Sequence, residues 1–252
     1  MSLSATIITF NEEKNIARAI NSLKFADEVI VVDTNSTDST VKVSRGLSAV
    51  VYSHHFEGYG QQKNYAASLA TNDWILSIDA DEEVTEELKQ SILNTIYNYK
   101  EGDPVVYSLN RQTSFCGKFI RHGGWYPDHL ARLYKKNSAA WTTPNVHEEL
   151  LPMRRDSKIG KLMGHLNHYS FPNVLSQIER NIKYAKLGAK ELLERKKRRP
   201  NVVELLLRPI GKFIECYIVK RGFLDGLAGL TIAINAAYSM FIKYALAYWD
   251  NR

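Results

Sequence analysis

Three short polar clusters in the N-terminal part of the chain carry residue types that could do chemistry together. They are Thr9-Phe10-Asn11-Glu12-Glu13, Asp33-Thr34-Asn35-Ser36-Thr37-Asp38 and Asp79-Ala80-Asp81-Glu82. Helix capping would account for Asn11, Asp38 and one acid after Asp79, each taken singly. It does not account for three acidic clusters gathered in one place, because like charges repel unless a cation or hydrogen-bond donors sit among them. Asp79-x-Asp81 offers two hard oxygen ligands within one turn, the kind Mg²⁺ or Mn²⁺ takes when it also holds phosphates. The chemistry implied is a divalent cation with a phosphorylated ligand.

Such clusters work only if the elements between them bring them together. Residues 3–10 are rich in β-formers, and Asn11 would cap a helix over about 14–23. The runs 28–33 (EVIVVD) and 74–79 (WILSID) are continuously apolar, as strands buried on both faces are. A third strand is expected at 49–52, a short helix starting at Thr37-Asp38, a helix over 61–69, and a helix capped by Thr85 running to about Tyr99. Strands alternating with helices imply βαβ units, hence an α/β fold with a mostly parallel sheet and flanking helices. Ligands of such sheets bind outside the carboxyl ends of the strands, where all three clusters fall. No GxGxxG follows the first strand and no GxxxxGK[ST] occurs; Gly58-Tyr59-Gly60, the nearest approach, stands in the wrong place. Phosphate binding must then rest on metal and basic side chains.

Together these motifs resemble family 2 glycosyltransferases of the GT-A fold. Gly58-Tyr59-Gly60-Gln61-Gln62-Lys63-Asn64 and Gly124-Trp125-Tyr126-Pro127-Asp128 narrow the resemblance to bacterial enzymes that add glucose or a similar sugar to the lipopolysaccharide inner core. The resemblance implies a UDP-sugar donor, with Thr9, Asn11 and Glu12 lining ribose and base and Asp33 accepting a hydrogen bond from uracil. Asp79 and Asp81, with Ala80 between them, would hold the nucleotide sugar and a Mg²⁺ or Mn²⁺ ion bridging its diphosphate. It also implies inversion at the anomeric carbon by single displacement. One departure from the family pattern is Asn35, which stands where the family has Gly; Asn tolerates positive φ, so the turn can survive.

Displacing a nucleoside diphosphate needs charge neutralisation on the leaving group and a base for the acceptor hydroxyl. Lys63 and Arg132 are candidates to help the metal, against the plainer readings of a solvated surface lysine and an edge-strand arginine. Following the resemblance, Glu148 in Val146-His147-Glu148-Glu149-Leu150 is assigned as base, with Asp128 as runner-up. Trp125 and Tyr126 would form an aromatic platform for a sugar ring, or simply pack in a core. His147-Glu148 lacks HExxH spacing, which rules out that metalloprotease motif. His165 and His168 read better as hydrogen-bonded histidines in a strand or loop than as a metal pair on a helix.

Composition bounds the rest. The chain has 252 residues, 44% hydrophobic and 24% charged, which excludes a disordered tail, a collagenous rod and a small disulfide-stapled peptide. Cys116 and Cys216 show no CxxC spacing, so a reducing compartment is expected. The first ten residues have no basic region and Asn11-Glu12-Glu13 interrupts them, unlike a signal peptide. The net charge of +6 is uneven: residues 183–221 hold twelve Lys and Arg against four Asp and Glu, leaving the first 182 residues slightly acidic. Residues 174–197 read as an amphipathic helix ending in Arg195-Lys196-Lys197-Arg198-Arg199, followed by apolar runs at 202–207 and 213–219 punctuated by Arg208, Lys212, Lys220 and Arg221. Residues 222–242 are long enough to span a membrane. Asp225, Asn235 and the glycines at 222, 226 and 229 favour instead a helix lying in the interface or against the body.

The expected organisation is a GT-A domain over 1–171, with a nucleotide-sugar half to about 112 and an acceptor half beyond it. A C-terminal helical, amphipathic, membrane-associating segment follows over 172–252. The function expected is metal-dependent transfer of a sugar, glucose above others, from a UDP-sugar to a lipid-linked glycan such as lipopolysaccharide inner core. The chain would work peripherally at the anionic inner face of the bacterial cytoplasmic membrane, with no nucleic-acid partner; a homo-oligomer is compatible with the sequence. Transfer to a polyprenyl phosphate and a non-catalytic nucleotide-sugar or nucleic-acid binder are the rival readings.

Overall fold

The structure is a computed structural model that describes residues 2–143, 148–154, 157–196 and 198–249. The chain divides into two compact units, Met1–Arg111 with Asp128–His168, and Gln112–Pro127 with Tyr169–Arg252.

The first unit is built on a sheet whose strand order begins β3-β2-β1-β4. These strands are β1 (Leu3–Thr9), β2 (Glu28–Asp33), β3 (Val50–Ser53) and β4 (Trp74–Asp79), and all pair in parallel. The helices joining them are α1 (Ile16–Ser22), α2 (Thr40–Gly46) and α3 (Tyr59–Leu69). This is the expected α/β arrangement. Alternate residues of the apolar runs serve opposite faces. Val31, Leu76 and Ile78 join Ile16 and Ile20 in one core, whereas Ile30, Val32 and Ile75 join Ala66 in the other.

The remaining strands extend the sheet in the opposite sense. β4 pairs antiparallel with β8 (Asp128–Lys135), and β8 with β6 (Val106–Phe115). β11 (Ile159–Phe171) pairs antiparallel with the short β5 (Glu82–Val84), setting His168 opposite Glu82. α4 (Glu86–Tyr97) starts where expected: Thr85 accepts the Leu88 N–H, and Leu88 and Ile92 are buried. A small ribbon, β9 (Ala139–Trp141) with β10 (Leu150–Pro152), sets Trp141 opposite Leu150.

One expected cap is corrected. Asn11 does not cap α1, which starts at Ile16 behind Asn15. Its side chain accepts the Thr37 N–H at 2.8 Å, while its own N–H donates to Ser36 Oγ at 2.8 Å. Bonds to the neighbouring loop hold it at φ 53°, a conformation in which Asn is at home.

The second unit is mainly helical. It contains β7 (Lys118–Phe119), α5 (Val174–Lys196), α6 (Val202–Ile214), a π-helical turn at Glu215–Val219, a 3₁₀ turn at Gly222–Asp225 and α7 (Leu227–Trp249). The two polar residues that argue against a span are both used inside this unit. Buried Asp225 accepts the backbone N–H groups of Arg121 and His122, and Asn235 donates to Gln177 Oε1 at 2.6 Å. α7 is nevertheless the one helix among the described residues long and apolar enough to cross a membrane.

Candidate active site

The sheet register explains why the three clusters meet. β1 pairs Thr9 with Asp33 on one side and Ile8 with Asp79 on the other, so the clusters leave adjacent strands at the same carboxyl edge. Asp33 is buried and accepts the Ser36 N–H at 2.8 Å, bracing its own loop. Asn35 sits at φ 56°, so the turn survives the replacement of glycine. Glu12 N–H donates to Thr40 Oγ1 and Glu13 N–H to Asp38 Oδ2, joining the first two clusters into one rigid rim.

At the third cluster the charges alternate. Lys63, from α3, lies 2.8 Å from Glu148 and 3.1 Å from Asp79. Arg132, from β8, lies 2.9 Å from Asp79 and 3.4 Å from Glu82. Arg111, from β6, lies 3.3 Å from Glu82 and 2.9 Å from Asp128. The result is a row of side chains: Glu148, Lys63, Asp79, Arg132, Glu82, Arg111, Asp128. The repulsion expected among the acids is therefore met first by the protein's own cations. Lys63 and Arg132 are 3% and 4% exposed, which removes both plain readings, surface lysine and edge arginine.

Trp141 supports the two buried cations. Its ring lies 4.6 Å from Lys63 Nζ and 5.5 Å from Arg132 Cζ, within cation–π range. Asn64, beside Lys63 on α3, clamps that strand by donating to Trp141 O and accepting from Trp141 N, both at 2.9 Å. Gly60 belongs to the same device: a Cβ there would collide with the Thr142 carbonyl oxygen, so only glycine lets α3 come this close to the chain after β9.

Electrostatics follow from the geometry. Burial would raise the Asp79 carboxyl, but Arg132 and Lys63 together hold it well below the usual carboxylate range. Burial would lower Arg132, yet Asp79 and Glu82 raise it above its ordinary value. Glu82 is fully buried and also accepts the Asp79 N–H at 2.8 Å, fixing the turn between β4 and β5. Thr9 Oγ1, Arg132 Nε and Arg132 Nη1 are among the polar atoms of the site that are buried without a hydrogen-bond partner among the described residues.

Asp81 is 3.1 Å from His168 Nε2. Among the described residues no group of three His, Cys, Asp or Glu is placed to hold a metal ion. A carboxylate and an imidazole side by side fit a divalent cation that takes its remaining ligands from phosphate and water, as Mg²⁺ commonly does.

Of the residues singled out in the sequence, Thr9, Asn11, Glu12, Asp33, Lys63, Asp79, Ala80, Asp81, Asp128, Arg132 and Glu148 all belong to the first unit. Trp125 and Tyr126 belong to the second, where the Trp125 ring packs 5.3 Å from Phe171 and 6.3 Å from Phe115. His147 lies outside the described residues. Arg111, Trp141 and the pairing of His168 with Asp81 were not found from sequence. The only signal for His168 is its position on a strand that the register sets against Glu82.

Comparison with known proteins identifies the family. Residues 4–159 match the family model described as Glycosyl transferase family 2. An uncharacterised glycosyltransferase of Rickettsia typhi is 33% identical over 250 residues, covering 96% of this chain and 85% of its own. The lipopolysaccharide core biosynthesis glycosyltransferase LpsC of Rhizobium meliloti is 27% identical, covering 98% and 92%. Among solved structures, glucosyl-3-phosphoglycerate synthase from Mycobacterium tuberculosis, in complex with Mn²⁺ and UDP, superposes on 45% of this chain and 44% of its own, with a TM-score of 0.38 and 22% identity. On the family model and the Rickettsia relative, this chain belongs to glycosyl transferase family 2.

Proposed function

We propose that this glycosyltransferase moves a sugar, glucose above others, from a UDP-sugar to a lipid-linked glycan of the lipopolysaccharide inner-core type, peripherally at the inner face of the cytoplasmic membrane. The observation that carries the reading is the row running from Glu148 through Lys63 and Asp79 to Arg132, at the carboxyl edge of the parallel strands. It sets a carboxylate that can take a proton beside cations that can receive a diphosphate. The LpsC relative supports the acceptor class.

In this reading Thr9, Asn11, Glu12 and Asp33 receive the nucleoside. The unpartnered donors of Arg132 and the Lys63 ammonium face the diphosphate and stabilise charge as it departs. Asp79 and Asp81 are the metal ligands expected from the sequence; since Asp79 is ion-paired to Lys63 and Arg132, Asp81 and His168 would hold the Mg²⁺ or Mn²⁺ ion, which supplies Lewis-acid neutralisation of the same charge. Glu148 takes the proton from the acceptor hydroxyl, and Lys63 holds it in position. Asp128, tied to Arg111 and accepting no proton, orients the far end of the row.

Glu148→Gln keeps the shape and the contact to Lys63 but cannot act as base. Transfer should fall by about 10²–10⁴-fold, with UDP-sugar affinity nearly unchanged. Unimpaired turnover in Glu148→Gln, with loss in Asp128→Asn, would move the base to Asp128.

A further inference from the structure

In a helix packed on a protein core the apolar stripe faces inward. α6 does the reverse. None of its residues is buried, and Val202, Val203, Leu206, Leu207, Ile210 and Ile214 are 47–60% exposed. At about 100° per residue these six fall within an arc of about 140°. The helix is well specified all the same: Asn201 and Glu204 form a reciprocal capping box at its start. Its inner side is served by Leu205, which packs with the cluster of Leu192, Tyr244 and Ala247. The outward stripe is therefore left over after the helix has docked. It continues through Ile218 in the π-helical turn and Phe223 and Leu224 in the 3₁₀ turn, each 45–54% exposed.

The charge of this segment is one-sided. Residues 198–249 contain seven Lys and Arg against three Asp and Glu. All three acids are already committed: Glu204 to Arg198, Glu215 to Lys212 and Lys220, and buried Asp225 to backbone N–H groups. Arg208 and Arg221 are exposed and have no ion-pair partner among the described residues. The face is aliphatic, so it calls for a deformable apolar medium. Arg221 stands in the chain between exposed Ile218 and exposed Phe223 and Leu224, and Arg208 lies on the polar side of α6, about 100° beyond the stripe, so anions are called for around the face.

We propose that α6 and the two turns after it form an interfacial membrane-docking surface. The aliphatic stripe enters the headgroup–acyl boundary, and Arg208 and Arg221 meet anionic lipid headgroups. This assigns membrane contact to α6 lying in the interface, and α7 to packing within the second unit rather than spanning. It deepens the peripheral location proposed above, and rests on that reading for its purpose.

The test is co-sedimentation of the full chain with vesicles of phosphatidylcholine alone and with phosphatidylglycerol added. Wild type should bind the anionic vesicles and bind the neutral ones at least about fivefold more weakly. Leu206→Glu with Ile210→Glu should weaken binding to anionic vesicles at least about tenfold. Arg208→Glu with Arg221→Glu leaves the apolar stripe intact and should abolish the preference for anionic vesicles. Thermal unfolding and vesicle-free UDP release from UDP-sugar should match wild type in both variants. No vesicle binding by wild type, or wild-type binding by both variants, would overturn the proposal. So would a wild-type dimer that Leu206→Glu with Ile210→Glu turns into a monomer. Absence of UDP release with normal vesicle binding would instead defeat the catalytic reading and leave the docking surface standing.

Discussion

Lys63 is the side chain on which the site turns. An ammonium this deeply buried would be costly alone; here two carboxylates and an indole ring face surround it. Lys63→Met keeps the bulk and removes the charge, leaving Glu148 without its cation. Asp79 and Glu148 retain 28% and 18% of their side-chain exposure, so water offsets part of the loss. The expected destabilisation is about 2 kcal/mol, below the ~3–5 kcal/mol of a fully buried broken pair. UDP release should fall about 10²-fold. A denaturant titration and a UDP-release assay check the two effects separately. From sequence Lys63 is equally well a surface lysine, because its burial depends on Trp141, which arrives from a strand more than seventy positions later. His168 is hidden for the same reason: only antiparallel pairing of β11 with β5 brings it to Asp81. The acids themselves were legible, since they end strands whose apolar runs announce them.

At the scale of elements, the strands 28–33 and 74–79 read correctly to the residue because both of their faces are buried and their ends are polar. Helix starts read less well. The α1 start slips to Ile16 because the loop before it spends its side chains on the neighbouring loop instead of on the helix. The antiparallel half of the sheet shows no period strong enough to fix its order, since its pairing is set by long-range register. Gly60 offers an element-scale test of how α3 carries Lys63 into place. Gly60→Ala should cost about 1–3 kcal/mol, as α3 is forced off the Thr142 backbone, and should reduce turnover with it. Gly46→Ala, at the end of α2 with nothing within 4 Å of the added carbon, should be neutral or slightly stabilising, by about 0.4–1 kcal/mol. Thermal melts of the two variants give the comparison; equal melting temperatures would mean that the close approach of α3 is not required.

Over the whole molecule the net charge of +6 conceals two opposite distributions. A slightly acidic N-terminal part gathers its carboxylates at strand ends beside buried cations, whose donors the proposed function assigns to a diphosphate. A basic C-terminal segment sets free guanidinium groups beside exposed aliphatic residues, which suits anionic lipid. The central claim is that the strand-end site takes a nucleoside diphosphate together with a divalent cation. Isothermal titration of the full chain with UDP tests it, run with Mn²⁺ and again after chelation, in wild type and in Asp81→Ala. The expected result is binding with Mn²⁺ that weakens at least about tenfold on chelation and similarly in Asp81→Ala. UDP binding of equal strength with and without metal and in both proteins, or no binding of UDP at all, would contradict it.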